Sequence, residues 1–217
     1  MLELDSWLKR WEAAVLEEFG AQRVRFMGIQ GSRSRGEAHE CSDIDVVLVL
    51  DEFTPEDAAR YRGCVENLPE RDKLCGFVSG WDELTSWPGG ELFSFCLDTT
   101  ALYGTLDAVS AKVGREDVRD GALGTVCGIY HGCVHNFIHG RSEEALAGLY
   151  KSAFFALRAI HCLETGEKLR TRAQLLGARP DSERDLIMGV PAGSFDAGSA
   201  RLMEWAARQI RVLGGRT

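Results

Sequence analysis

The feature that most constrains this chain is a glycine-serine pair followed, after ten residues, by two aspartates at the start of an apolar run. The pair is Gly31-Ser32, the aspartates are Asp43 and Asp45, and the apolar run covers 46–50. Such a run predicts a buried strand, and side chains alternate along a strand, so the two aspartates point to the same face. Neighbouring carboxylates disfavour each other's ionisation, and a divalent cation removes that conflict. Hard oxygen ligands of this kind suit magnesium, which completes its shell with water and substrate phosphates.

The glycine-serine pair predicts an anion site beside these carboxylates. It follows a second apolar run, 24–30. A glycine lets the backbone approach a ligand closely, and free backbone amides at a turn bind anions. Asp-x-Asp alone is a short motif that also occurs at solvated strand ends. The two elements together, at this spacing and between two apolar runs, favour a phosphate site next to a metal site.

Three short motifs carry a resemblance to a known family: Gly31-Ser32, Arg35-Gly36 and Ser42-Asp43-Ile44-Asp45. Together they resemble the signature of the DNA polymerase beta-like nucleotidyltransferase superfamily, and in particular its minimal and aminoglycoside branches. The specific match covers about 24–50, and the general layout extends over 1–105. The resemblance implies transfer of a nucleoside monophosphate from an NTP to an acceptor, with release of pyrophosphate.

The same resemblance implies roles for individual residues. Asp43 and Asp45 would hold magnesium, Gly31 and Ser32 would contact the terminal phosphates, and Arg35 would also meet the nucleotide. Arg33 lies near the same segment, but only Arg35 is part of the Arg-Gly motif. Solvation in a loop is the alternative for both arginines.

Family members usually carry a third carboxylate on a later strand, as a metal ligand or as a base. The matching strand here, 73–79, contains no acid. The candidates are Asp72 at its start and Asp98, with Glu91 as a weaker option. Asp98, which the sequence places where a strand meets a turn, is our candidate base. The alternative is a turn residue that bonds its own backbone. Without a third acid, the site would use two carboxylates or be inactive.

Two features stand out in the second half of the chain. Lys151 interrupts an apolar helical segment, so it either extends to solvent or reaches a phosphate. Helical domains of this superfamily often supply a lysine to the triphosphate, which makes Lys151 a candidate nucleotide ligand. His131, His135 and His139 share one helix face. No glutamate follows His131 as a metal motif would require, so a polar or interface stripe is favoured over a metal site.

Composition limits the partners. The net charge is -8 and the sequence pI is about 5.2. This argues against a nucleic-acid binder, which needs a basic face, and is compatible with a cationic acceptor. The seven cysteines are scattered and form no Cys-x-x-Cys, which fits a reducing cytoplasm. No run of about 20 apolar residues indicates a membrane span. A homodimer is compatible with the sequence.

The order of predicted elements gives the fold class. Residues 1–107 predict α-β-α-β-α-β-β, with a hairpin formed by 92–97 and 101–103. This is an α+β nucleotidyltransferase domain with a mixed sheet and flanking helices. Residues 108–217 predict an all-α bundle, similar to the helical domains that accompany minimal nucleotidyltransferases.

The functional prediction is a magnesium-dependent enzyme that moves an NMP, with AMP preferred, from an NTP to a hydroxyl of a small-molecule acceptor. An aminoglycoside-like compound is the candidate acceptor. One alternative is an antitoxin-like nucleotidyltransferase that adenylylates a protein partner. The other is a nucleotide-binding module without catalysis.

Overall fold

The computed structural model describes residues 3–215, and its first half is built on a four-stranded mixed sheet. The strands are β1 (Val24–Ile29), β2 (Ile44–Leu50), β3 (Leu74–Gly80) and β4 (Thr100–Tyr103). They lie in the order β3-β2-β1-β4. β1 is antiparallel to both β2 and β4, whereas β2 and β3 are parallel. The start of β2 therefore lies beside the end of β1.

Four helices accompany these strands: α1 (Leu4–Phe19), α2 (Gly31–Ser34), α3 (Pro55–Val65) and α4 (Trp81–Thr85). α1 forms because apolar residues recur at helical spacing, and its buried side includes Trp7, Trp11 and Val15. α3 begins with the predicted threonine cap and with proline at its first turn. The predicted positions of α1, α3 and the first three strands agree with the structure.

The predicted hairpin is wrong. Residues 92–97 belong to helix α5 (Gly89–Asp98), and β4 pairs with β1 instead of with its neighbour in the chain. A six-residue apolar run carries no period that separates a strand from a buried helix. Phe93 and Leu97, four residues apart, lie on one side of α5 and pack into a core shared with Val118 and Ala122.

The described chain forms two compact units that interleave in sequence. The first extends to Trp87 and also includes Asp98–Lys112, with its short helix α6 (Asp107–Ser110). The second consists of Pro88–Leu97 and the chain from Val113 onward. The sequence predicted a single boundary at 107/108, with 88–97 in the first domain. The apolar side of α5 draws this segment into the second unit.

The second unit is helical. After α5 come α7 (Arg115–His135), a π-helical turn (Asn136–Gly140), α8 (Glu143–Thr165), α9 (Arg172–Ala178), α10 (Arg184–Met188) and α11 (Phe195–Leu213). The predicted bounds of α8 and α11 agree with the structure, whereas α7 begins seven residues before the predicted 122. Between residues 3 and 215, no helix combines the length and the apolar character that crossing a membrane requires.

Candidate active site

The two aspartates predicted to bind a metal lie on either side of Ile44, the first residue of β2. Asp43 is exposed and precedes the strand, and Asp45 is its second residue and is half-buried. Ile44 between them is fully buried, so alternation puts both aspartates on the other face. The Gln30 N–H donates to the Asp45 carbonyl oxygen at 2.7 Å. This bond fixes the start of β2 against the end of β1.

The predicted phosphate-binding pair is next to Asp45. Gly31 has φ +72°, a conformation that favours glycine. A Cβ added to Gly31 would overlap Oδ2 of Asp45, so the carboxylate occupies the space where a side chain would begin. The structure therefore brings the glycine-serine turn and one of the two aspartates together, as the sequence predicted.

Asp98 joins the same site from a different element than predicted. It is the last residue of α5, not a strand residue, and it belongs to the first unit. Its Oδ2 accepts a hydrogen bond from the Gly31 N–H at 3.3 Å. Its two carboxylate oxygens are 2.7 and 2.9 Å from Nη1 of Arg35. Asp45 and Asp98 thus both lie next to Gly31.

Arg35 is placed between two acids. Its side chain is only 5% exposed, and Nε donates to Oε2 of Glu37 at 3.0 Å while Nη1 binds Asp98. Burial alone would lower the pKa of the guanidinium, but Asp98 and Glu37 outweigh it and raise the pKa above its usual value. The predicted nucleotide ligand is therefore an ion-pair partner of Asp98 in this structure.

Arg33 binds backbone carbonyl oxygens instead of carboxylates. Its Nε donates to the Asp43 carbonyl oxygen at 2.9 Å, and Nη2 donates to the Ser42 carbonyl oxygen at 2.6 Å. These bonds hold the turn that leads into β2. The structure therefore separates the two neighbouring arginines: Arg33 binds backbone carbonyls, and Arg35 binds carboxylates.

The neighbouring strand β3 brings no acid to the site. The register pairs Asp45 with Cys75, which is exposed and has a free thiol. Paired residues of adjacent strands project to the same face, so Cys75 stands beside Asp45. Asp72 is an exposed residue of a 3-10 turn before β3, and Glu91 belongs to the second unit. No local sequence pattern points to Cys75, because the register of two parallel strands cannot be read from a single sequence.

The side chains at this site fit a metal ion whose coordination shell is completed by oxygen atoms of a substrate. Within residues 3–215, no three histidine, cysteine or acidic side chains are grouped so that they could hold a metal. Asp43 and Asp45 offer two carboxylates, and magnesium commonly binds through one or two carboxylates plus substrate phosphates. The fit therefore depends on the phosphates.

The remaining predicted residues lie in the second unit. Lys151 is an exposed residue of α8, and its role as a nucleotide ligand stays a prediction. His131, His135 and His139 are all exposed, with successive ring centroids 6.3 and 4.9 Å apart. They form the expected stripe along one helix face.

The second unit also contains a group of arginines that was not predicted to be part of a site. Arg158 is buried on α8, with its guanidinium carbon 5.2 and 4.9 Å from the ring centroids of Phe154 and Phe155. The guanidinium of Arg172 lies 4.4 Å from the Phe154 ring centroid. Arg158 also donates to the carbonyl oxygen of Arg170 at 3.3 Å. A charged residue within an apolar helical stripe was the available signal.

Comparisons with known proteins agree with this geometry. Residues 8–87 match the family described as nucleotidyltransferase domain. The chain is similar in structure to spectinomycin adenyltransferase AAD(9) from Enterococcus faecialis, crystallised with ATP and spectinomycin. The TM-score is 0.52, the sequence identity is 13%, and the alignment covers 98% of each chain. A search of curated proteins gives no match.

Residues 8–87 thus belong to a nucleotidyltransferase domain of the DNA polymerase beta-like class. The whole chain shares the fold of AAD(9). The family match of residues 8–87 gives the class of enzyme, nucleotidyltransferase. The predicted superfamily, fold class and enzyme class are confirmed.

Proposed function

We propose that this protein is a magnesium-dependent nucleotidyltransferase that moves AMP from ATP to a hydroxyl of a small-molecule acceptor. The observation that supports the proposal is the position of Asp45 against Gly31. A carboxylate that could hold a metal ion lies there beside a glycine backbone that could approach a phosphate. Asp43 supplies the second carboxylate on the same face of β2.

The chain's own residues would bind and orient the nucleotide. The Gly31 N–H and the Ser32 hydroxyl would donate to the β- and γ-phosphates, and Asp43 and Asp45 would hold the magnesium ion. The ion, when bound, would neutralise phosphate charge that builds up as pyrophosphate leaves. The contribution of the protein is then mainly positioning and electrostatic stabilisation.

The transfer itself needs a proton acceptor. The acceptor oxygen would form a bond to the α-phosphorus in line with the bond to pyrophosphate, which breaks. Asp98 is the candidate base that takes the hydroxyl proton. The oxygens of Asp98 bind Arg35 and the Gly31 N–H, so Asp98 would have to separate from these donors before it could take that proton.

Two observations support a small cationic acceptor. The net charge of -8 attracts cations and disfavours nucleic acid as the acceptor. AAD(9), which shares the fold along almost the full chain, was crystallised with ATP and spectinomycin. An aminoglycoside-like compound is therefore the acceptor to test first.

A nucleotide-binding module without catalysis is the second candidate. The observation that favours it is the absence of an acid from β3, the strand on which the resemblance implies a third carboxylate. Cys75 of β3 stands beside Asp45 instead. An antitoxin-like enzyme that modifies a protein is the third candidate, and it would be favoured by a HEPN toxin encoded next to this protein.

The test is label transfer from α-labelled ATP with magnesium, using the purified protein, its Asp43→Asn variant and an exposed-charge control, Glu66→Gln. The acceptors are a panel of aminoglycosides and aminocyclitols, a small-molecule extract and a protein extract. Label on a small molecule that depends on Asp43 supports the proposal. Label on a protein band supports the antitoxin-like alternative. The absence of Asp43-dependent label with every NTP would leave the non-catalytic module.

A further inference from the structure

The carboxylate of Asp98 is bound by two donors that an NTP would also use. One is the Gly31 N–H, 3.3 Å from Oδ2, and the other is Nη1 of Arg35, within 2.9 Å of both oxygens. Carboxylate and phosphate oxygens compete for such donors, because arginine and backbone amides bind both kinds of oxyanion. In this structure an anion of the protein itself therefore binds the donors that the phosphates of an NTP would use.

We propose that Asp98 is a positioning residue that holds Gly31 and Arg35 in their binding arrangement and is displaced from both by the phosphates of the NTP. The proposal rests on the proposed function. It adds that nucleotide binding and the release of Asp98 are one event. The base candidate is thus ion-paired until the NTP arrives.

The two carboxylates on Arg35 have separate parts in this exchange. Glu37 binds Nε at 3.0 Å, a different nitrogen from the one that Asp98 binds, so it can keep the guanidinium in place. Asp98 binds Nη1, the atom that would change partner. Arg35 can then pass from a carboxylate to a phosphate without leaving its buried position.

The negative charge around Gly31 determines whether removal of the Asp98 charge should raise or lower the affinity for ATP. Asp45 and Asp98 both lie next to Gly31, so a triphosphate that binds there meets two negative groups. The substitution Asp98→Asn removes the charge and keeps the shape of the side chain. It weakens the group that competes with the phosphates and leaves the Gly31 N–H and Arg35 in place. ATP binding should then become tighter, whereas turnover should fall.

The experiment measures binding of metal-free ATP, in the presence of a chelator, to the full-length protein, Asp98→Asn and Glu66→Gln by calorimetry. We expect Asp98→Asn to bind metal-free ATP about tenfold more tightly than the unmodified protein, the scale of one charge-assisted contact. Glu66→Gln, which removes an exposed charge at the end of α3, should bind as the unmodified protein does. With magnesium, Asp98→Asn should lose turnover.

If Asp98 only stabilised the structure, Asp98→Asn would bind ATP more weakly instead of more tightly. Loss of the turn would weaken ATP binding, so weaker or unchanged binding by a folded Asp98→Asn variant would overturn the proposal. If that variant does not fold, NMR of the unmodified protein tests the proposal. The amide resonance of Gly31 must shift on saturation with metal-free ATP, and a resonance that stays in place at saturation contradicts the exchange.

The design separates this proposal from the proposed function. If the unmodified protein binds no NTP either with magnesium or without it, the proposed function itself fails. If it binds ATP and transfers AMP, but Asp98→Asn shows no tighter binding, only the role of Asp98 fails.

Discussion

The Asp45 carboxylate lies against Gly31, in the space that a side chain at position 31 would occupy. This relationship links the predicted metal ligand to the predicted phosphate donor. It also explains why position 31 needs glycine for two independent reasons, the positive φ of its backbone and the overlap with Asp45.

These two reasons can be separated by a matched pair of substitutions. Gly36 has φ +71°, close to the +72° of Gly31, but an added Cβ at Gly36 meets no atom within 4 Å. Gly31→Ala and Gly36→Ala should each lose about 1–2 kcal/mol from the left-handed backbone. Only Gly31→Ala should also lose ATP turnover, because only its methyl group displaces Asp45. Chemical denaturation and label transfer measure the two effects, and equal turnover in both variants would contradict the assignment.

The carboxylate pair on β2 should be essential for transfer. Asp43→Asn or Asp45→Asn should reduce the rate at least ~10²-fold, the scale for loss of one preorganised electrostatic group. The measurement is label transfer from α-labelled ATP at saturating magnesium. Near-normal turnover in either variant would rule out that aspartate as a metal ligand.

Cys75 offers a chemical test of the site. Its thiol is exposed and its strand position pairs with Asp45, so alkylation would place a bulky group beside the carboxylates. Treatment with iodoacetamide should remove most of the activity of the unmodified protein, and Cys75→Ser should resist it. Cys41 and Cys127 are also exposed and are present in both proteins, so they serve as internal controls. Equal inactivation of both proteins would place the sensitive thiol elsewhere.

A buried ion pair away from the site should control stability in acid. Arg23 binds both oxygens of Asp57, at 2.8 and 3.0 Å. These hydrogen bonds, helped by the Thr54 N–H, lower the pKa of Asp57 from 3.8 to about 2. A lowered pKa means that the stabilisation is complete above pH 3.8 and is lost as the pH falls towards 2.

The corresponding variant is Asp57→Asn. At neutral pH it should reduce the free energy of unfolding by about 1 kcal/mol, after allowance for solvent screening. The difference from the unmodified protein should shrink between pH 4 and pH 2, which urea denaturation at several pH values can follow. Turnover at pH 7 should stay unchanged. A difference that is constant with pH would show that the Asp57 charge does not contribute.

Local patterns were sufficient for much of this fold. The stripe of α1, the threonine and proline at the start of α3, and the apolar stripe of α8 all depend on neighbours within a few residues, and the structure agrees with each. For residues 92–97 the local pattern gave the wrong prediction, a strand instead of a helix. Whether this segment is a strand or a helix depends on the surface of α7 that it packs against, which lies far along the chain.

The candidate site divides in the same way. The sequence alone predicted that Gly31, Ser32, Asp43 and Asp45 form one site, because one turn and one strand connect them within fifteen residues. The structure puts Asp45 next to Gly31. Only the tertiary structure decided which other groups join them. Asp98 reaches Gly31 because β4 adds to the free side of β1, and Cys75 stands beside Asp45 because β3 pairs in parallel with β2. Strand pairing between distant segments sets these neighbours, and a single sequence does not encode that register in any local pattern.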